Sequence, residues 1–416
     1  MRIYLFSFNK RIALIVLFAC ISILANAQDD TKLINRIPAD TINQKMNMDA
    51  IFNRPFLGFN KLPIAIGGYI EANTVYAATD GVSEGLHFQM RRMTLFFSST
   101  IAKKIKFISE IEFEDGTEEI NIETALVDIE FHPLINARGG ILLNPIGAFN
   151  QNHDGPRWDF IDRPIAMTEI IPSTLSNIGF GFHGKYFYQN WTLGYETYLT
   201  NGFDDHLILN ERDHTSFKEA KENTDKFSKS NSGLPMFTGK IGIRNRKVGE
   251  LGLSYLTGVY NQWKIDGLEI DAKRSASLVA VDFSTSLLNN RINLTGELVK
   301  GIIELPLNYV QNYGTSQFGA YCDIVGTLLN RSLLSWDSAK LNVGLRFDYA
   351  DFNRDKFMHT EQKIYDETWA ITPSIAFRPV GTAVIRFNYK YLQARDLVGN
   401  RPSKTGIIQL GISSYF

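Results

Sequence analysis

The chain is poor in cysteine: only Cys20 and Cys322 occur in 416 residues. Cys20 falls inside an expected N-terminal leader, which leaves one cysteine, and one cysteine forms no internal disulfide. Beyond the N-terminus no window reaches the ~18 consecutive apolar residues that a membrane-spanning helix needs. Charged residues, at 21%, are too many for a helical membrane protein. A membrane crossing by this chain therefore requires a closed β-barrel. Neither sign of charge dominates, since the formal net charge is −1, and no nucleic-acid partner is expected. The histidines (His87, His132, His153, His183, His206, His214 and His359) are scattered, and none has the His-Glu-x-x-His spacing of a metal site. No nucleophile, base and orienting group stand out together. The chain is expected to be no enzyme and to use neither metal nor cofactor.

What is present begins with an export signal. Arg2, Lys10 and Arg11 form a positive flank, an apolar run covers residues 12–24, and Ala25-Asn26-Ala27 supplies the small residues of a cleavage site. Residues 1–27 are read as a signal peptide. Residues 28–62 show no sustained period and are read as a periplasmic or lumen-docked lead-in. Residues 63–416 are read as the barrel.

From Ile64 onward, apolar and polar residues alternate. Sixteen strands are predicted, over 64–77, 86–100, 104–114, 120–132, 136–144, 177–188, 191–200, 236–245, 248–260, 273–286, 291–303, 316–329, 339–350, 364–378, 381–395 and 404–416. In the last, Ile408, Leu410, Ile412 and Phe416 share one face, and Gln409, Gly411 and Ser413 share the other. Connections alternate short and long. The long ones, 145–176, 201–235, 261–272, 304–315 and 351–363, all fall on one side when both termini lie on the other. Outer-membrane barrels sort their loops this way. The expected class is an all-β transmembrane antiparallel up-and-down barrel of sixteen strands, with long extracellular loops and an inward-folded third loop.

The polar faces carry full charges near strand middles, including Arg92, Arg138, Lys185, Lys240, Arg244, Arg346, Arg386 and Lys390. A dry core would make them costly, whereas a wet lumen tolerates them. A soluble sandwich is the competing architecture, and it would bury the apolar faces instead. The loop 145–176 contains Trp158, Phe160, Ile161, Ile165 and Met167 and should pack on the barrel wall. Its charges Arg157, Asp159, Asp162 and Arg163 are candidates for a constriction, with local loop hydrogen bonding as the alternative. The loop 201–235 is mostly polar and is read as a solvated surface loop.

Several stretches resemble the phosphate-selective porin O and P family. They are Phe88-Gln-Met-Arg-Arg-Met-Thr-Leu-Phe-Phe97, Ala125-Leu-Val-Asp-Ile-Glu-Phe-His-Pro133, Ala137-Arg-Gly-Gly-Ile-Leu-Leu-Asn-Pro-Ile-Gly147, Asp162-Arg-Pro164 and Gly179-Phe-Gly-Phe-His-Gly184. The resemblance runs from about Ile64 to Phe416. It implies a sixteen-stranded barrel of the outer membrane of a Gram-negative bacterium, often a homotrimer. It also implies passive passage of small hydrophilic solutes or anions, with outer-membrane lipids around it. Inward acids such as Glu110, Glu112 and Glu297 offset the bases and point to weak selectivity. A channel for hydrophobic compounds, a barrel-embedded enzyme and an adhesin are the rival readings.

Overall fold

Alternating burial along each strand shows which face meets the interior. On the last strand Leu410 is 51% exposed and Gln409 only 4%. Ile385, Phe387 and Tyr389 are exposed, while Arg386, Asn388 and Lys390 between them are buried. Apolar side chains point outward and polar ones inward, the reverse of a soluble sandwich.

The computed structural model describes residues 34–37, 46–59, 63–212, 214–307, 309, 313–357 and 360–416. The leader expected over residues 1–27, with Cys20, lies outside the described residues. The wall has sixteen strands: β1 Ala65–Thr79, β2 Val82–Ala102, β3 Ile105–Glu114, β4 Glu119–His132, β5 Ile135–Leu143, β6 Ser176–Tyr188, β7 Trp191–Thr200 and β8 Met236–Asn245. The other half is β9 Gly249–Val259, β10 Ser275–Leu287, β11 Ile292–Ile303, β12 Ser316–Leu333, β13 Trp336–Asp351, β14 Glu367–Arg378, β15 Ala383–Ala394 and β16 Ser403–Tyr415. Each pairs antiparallel with its neighbour in sequence, and β16 pairs with β1, from Thr405↔Thr79 to Tyr415↔Tyr69, closing the barrel. No helix among the described residues is long and apolar enough to cross a membrane.

The sixteen predicted strands all form. At one rim every connection is four residues or shorter, and the opposite rim holds the long segments. The tight turns carry the residues that left-handed backbone requires. Asp80 and Gly81 (φ 49° and 89°) join β1 to β2, and Asn289 and Asn290 (φ 56° and 64°) sit between β10 and β11. β2 begins earlier than the alternation suggests because Gly85, at φ 90°, coincides with a register shift that lets pairing continue past it. A short strand Ile34–Ile37 pairs with Phe56–Phe59, which adds briefly to β1 at Leu57↔Ile66.

Candidate functional site

The interior is built from three things: the inward faces of the wall, residues 46–56, and the long connections. Residues 46–56 form a strap. A 3₁₀ turn, Asn47–Phe52, is capped by Asp49, whose carboxylate accepts the Met46 N–H at 2.9 Å. The Asn47 N–H donates to Glu250 on β9 at 2.9 Å. Met46 and Met48 lie over the glycine faces at Gly194 and Gly242. At the other end Arg54 donates to Glu110 on β3 at 2.8 Å and to Asp154 at 2.6 Å, and stacks 4.0 Å over the Phe96 ring. The strap thus crosses the interior from β7–β9 to β2–β3. Glu110, His153 and Asp154 cluster tightly enough to suggest a cation site, but the guanidinium of Arg54 already holds that position.

The segment 144–175 supplies the second layer. Lys240 donates to Asp282 and to the Gly147 carbonyl, each at 2.7 Å, and both side chains of this ion pair are fully buried. Ala148 and Phe149 N–H groups donate to Glu297 at 3.0 and 3.1 Å. Arg346 grips Asp323 with two bonds of 2.6 Å and also donates to the Asp162 carbonyl. Arg386 donates to Glu71 at 2.7 Å and to the Phe160 carbonyl at 2.8 Å. Asp159 meets Arg378 and Asn342. Asp162 accepts from Arg91 at 2.8 Å, Gln409 at 3.0 Å and Lys390 at 3.4 Å. Burial opposes ionisation of Asp162, but Lys390 and Arg91 outweigh it and hold the carboxyl well below the usual carboxylate range. Gly147 sits at φ +66°, and a Cβ there would lie 1.6 Å from a Glu297 oxygen. Gly147→Val is therefore expected to cost about 3 kcal/mol of docking energy, read as proteolytic cutting of 144–175 in an otherwise intact barrel.

The charges expected to face open water do point inward, but many meet protein. Lys240, Arg346 and Arg386 are buried where the segment 144–175 brings carbonyls and the wall brings acids to meet their charges. The solvated reading of 201–235 is corrected. Phe203, Leu207, Phe217 and Ala220 are buried with Met167, Ile170, Leu256 and Leu278 in one apolar cluster inside the barrel. Their burial gives a mostly polar segment enough apolar area to dock.

Two cavities of about 480 Å³ each flank the wall formed by β2–β6. One opens near the short-turn rim and is lined by Lys106, Asp128, Arg138 and Lys185 with Asp49 and Phe52 of the strap. The other lies toward the long loops and is lined by Arg92, Glu114, Glu123, Arg163, Ser173 and Lys221 among others. An apolar collar separates them at mid-height. Ile108, Leu126, Leu142 and Tyr198 come from the wall, and Ile51 and Phe52 come from the strap. Arg138 stacks 4.7 Å over the Phe52 ring and pairs with Glu196 at 2.8 Å and Asp128 at 3.4 Å.

Of the sequence candidates, Arg92 and Arg163 border the loop-side cavity, and Arg138 and Lys185 border the turn-side one. Lys185 pairs with Asp49, Arg244 with Glu250 at 3.4 Å, and Arg157 donates to the Tyr415 hydroxyl at 3.1 Å. Sequence reasoning missed Arg54, Ile51, Glu123, Ser173 and Thr174. Residues 28–62 show no repeat, so nothing in them revealed a partner for Arg54.

No family model matches the chain. An uncharacterized protein of Aquifex aeolicus is 25% identical over 297 residues, which cover 63% of this chain and 66% of that protein. Among solved structures, the anion-selective porin of Comamonas acidovorans superposes with a TM-score of 0.54 at 12% identity, covering 85% of this chain and 99% of its own. OprB of Pseudomonas putida gives 0.51 at 9% identity, covering 85% and 94%. At such identities the likeness is one of fold. The chain has the closed sixteen-stranded barrel fold of the outer-membrane porins.

Proposed function

We propose that the protein is an outer-membrane channel for passive diffusion of small hydrophilic solutes, narrow in bore and weak in ion selectivity. The observation that carries this reading is the pair of charged cavities on one wall, divided by a collar whose inner half belongs to the strap rather than to the barrel. An apolar band facing outward supports a lipid environment, and the porin fold supports the outer membrane as its location. Cleavage near Ala27 and assembly as a homotrimer belong to the same reading. Blue-native electrophoresis in detergent tests the latter.

The resemblance to phosphate-selective porins would make anions the preferred cargo. Charge balance favours less selectivity: Arg92, Arg163, Lys218, Lys221 and Lys226 face Glu114, Asp115, Glu119, Glu123 and Glu222 around the loop-side cavity. In planar bilayers with a salt gradient the reversal potential is expected close to zero, and phosphate should not block chloride current. A strongly anion-selective reversal potential with phosphate block would replace weak selectivity with phosphate preference. Failure of reconstituted vesicles to swell in isotonic arabinose or glycine would remove the channel reading.

A further inference from the structure

The loop-side cavity holds a buried arginine with an empty edge. Arg163 donates from Nη1 to the Ser173 carbonyl at 2.9 Å, and its side chain is 9% exposed. Its Nε and Nη2 groups, whose N–H bonds run parallel, have no hydrogen-bond acceptor among the described residues. Glu112 comes no nearer than 3.8 Å to Nη2. Arg346 shows what that edge takes: the same two nitrogens hold both oxygens of Asp323. Beside Arg163, the hydroxyls of Ser173 and Thr174 are also buried without partners, and both residues line the cavity. Glu123 completes the set. It is 3% exposed, lines the same space, and makes no hydrogen bond or ion pair among the described residues.

Buried polar groups in folded proteins are nearly always partnered, so a guanidinium edge, two hydroxyls and a carboxylate without hydrogen-bond partners among the residues that line one cavity mark a place for a ligand. We propose that this cavity is a binding station for small zwitterions of the α-amino-acid class. The solute carboxylate takes the Arg163 edge and the Ser173 and Thr174 hydroxyls, and its ammonium faces Glu123. A zwitterion adds no net charge to a lining that is already balanced. The solute carboxylate shares the Arg163 edge with Glu112, 3.8 Å from Nη2, and a phosphate dianion would bring a second negative charge against Glu112 and Glu123 with no ammonium to offset it. A cavity of about 480 Å³ has ample room for such a solute. This rests on the channel reading, since it names a cargo for the same path.

Glycine, acetate, methylammonium and inorganic phosphate, each titrated into the detergent-solubilised full chain and followed by saturation-transfer NMR and calorimetry, test it. Glycine is expected to bind at least about tenfold more tightly than acetate or methylammonium, because it alone satisfies both charged ends. Arg163→Gln and Arg163→Lys should both weaken glycine, the second because an ammonium cannot reproduce the fork. Glu123→Gln should weaken glycine and leave acetate unchanged. Thr174→Val keeps the fold test separate, with heat-modifiable gel mobility as the check. Phosphate or acetate binding as tightly as glycine, indifference to Glu123→Gln, or no glycine binding would each overturn the proposal. Vesicle swelling distinguishes the two readings: glycine binding without swelling sinks the channel, and swelling without glycine binding sinks only the station.

Discussion

Replacing Ile51 and Phe52 together with serine is expected to raise the swelling rate of vesicles in small neutral solutes several-fold. The collar explains the size of the effect. Ile108, Leu126, Leu142 and Tyr198 are fixed on the wall, so only the strap side can change without disturbing the barrel. Each deleted side chain forfeits about 1.5–3 kcal/mol of burial, and water gains a polar route between two cavities that already hold charge on both sides. Phe52 also gives up its contact with Arg138. Ile51→Leu with Phe52→Leu preserves the apolar filling and should leave swelling near the starting rate. An intact barrel whose swelling ignores the serine pair would show that solutes pass elsewhere, and the collar would lose its role.

Arg54→Ala is expected to release the strap at a cost of about 3–5 kcal/mol, the range for removing one member of a buried charge cluster. Glu110 and Asp154 would be left facing each other at the positions the guanidinium held, with side chains no more than 1% exposed. Glu110→Gln and Asp154→Asn added to Arg54→Ala should recover much of the loss, because the penalty lies mainly in the stranded carboxylates. Chymotrypsin cutting after Phe52 reads the release directly. The same cluster sets a pH response. Burial opposes ionisation of Asp154, yet Arg54 and then Arg157 outweigh it and hold its carboxyl well below the usual range. A depressed folded pKa stabilises above the unfolded value and loses that contribution as pH falls. Docking should therefore hold at neutral pH and weaken below about pH 4, the ordinary carboxylate value. A strap no more open to pepsin at pH 2 than at pH 4, or an alanine variant no more sensitive to chymotrypsin than the parent, would contradict the assignment.

The wall was readable because strand periodicity reports which way a side chain points. Leu410 and Gln409 needed nothing else to be assigned to opposite faces. What an inward side chain meets is a different matter, since it depends on segments that carry no period. Lys240 reads as a charge over water until Gly147 and Asp282 are seen on either side of it. Phe203, Leu207 and Phe217 are separated by polar residues at irregular spacing, so 201–235 resembled a loop in solvent although Phe203, Leu207, Ile208 and Phe217 turn inward. Arg54 was the least accessible to sequence, because Glu110 and Asp154 lie 56 and 100 positions away. The empty edge of Arg163 could not be inferred at all, since an unpartnered donor is defined by its surroundings.

The closing seam has a kinetic consequence. Every other seam of the wall joins strands adjacent in sequence, so those hairpins nucleate one from the next with little loop entropy to overcome. The seam of β16 against β1 instead brings together Thr79 and Thr405, 326 positions apart. Until that single non-local step occurs, two unpaired edges stand open and invite pairing with other chains. Acquisition of the native state should thus be governed by ring closure, with a rate most sensitive to substitutions along β1 and β16 and nearly indifferent to those in the middle of the wall.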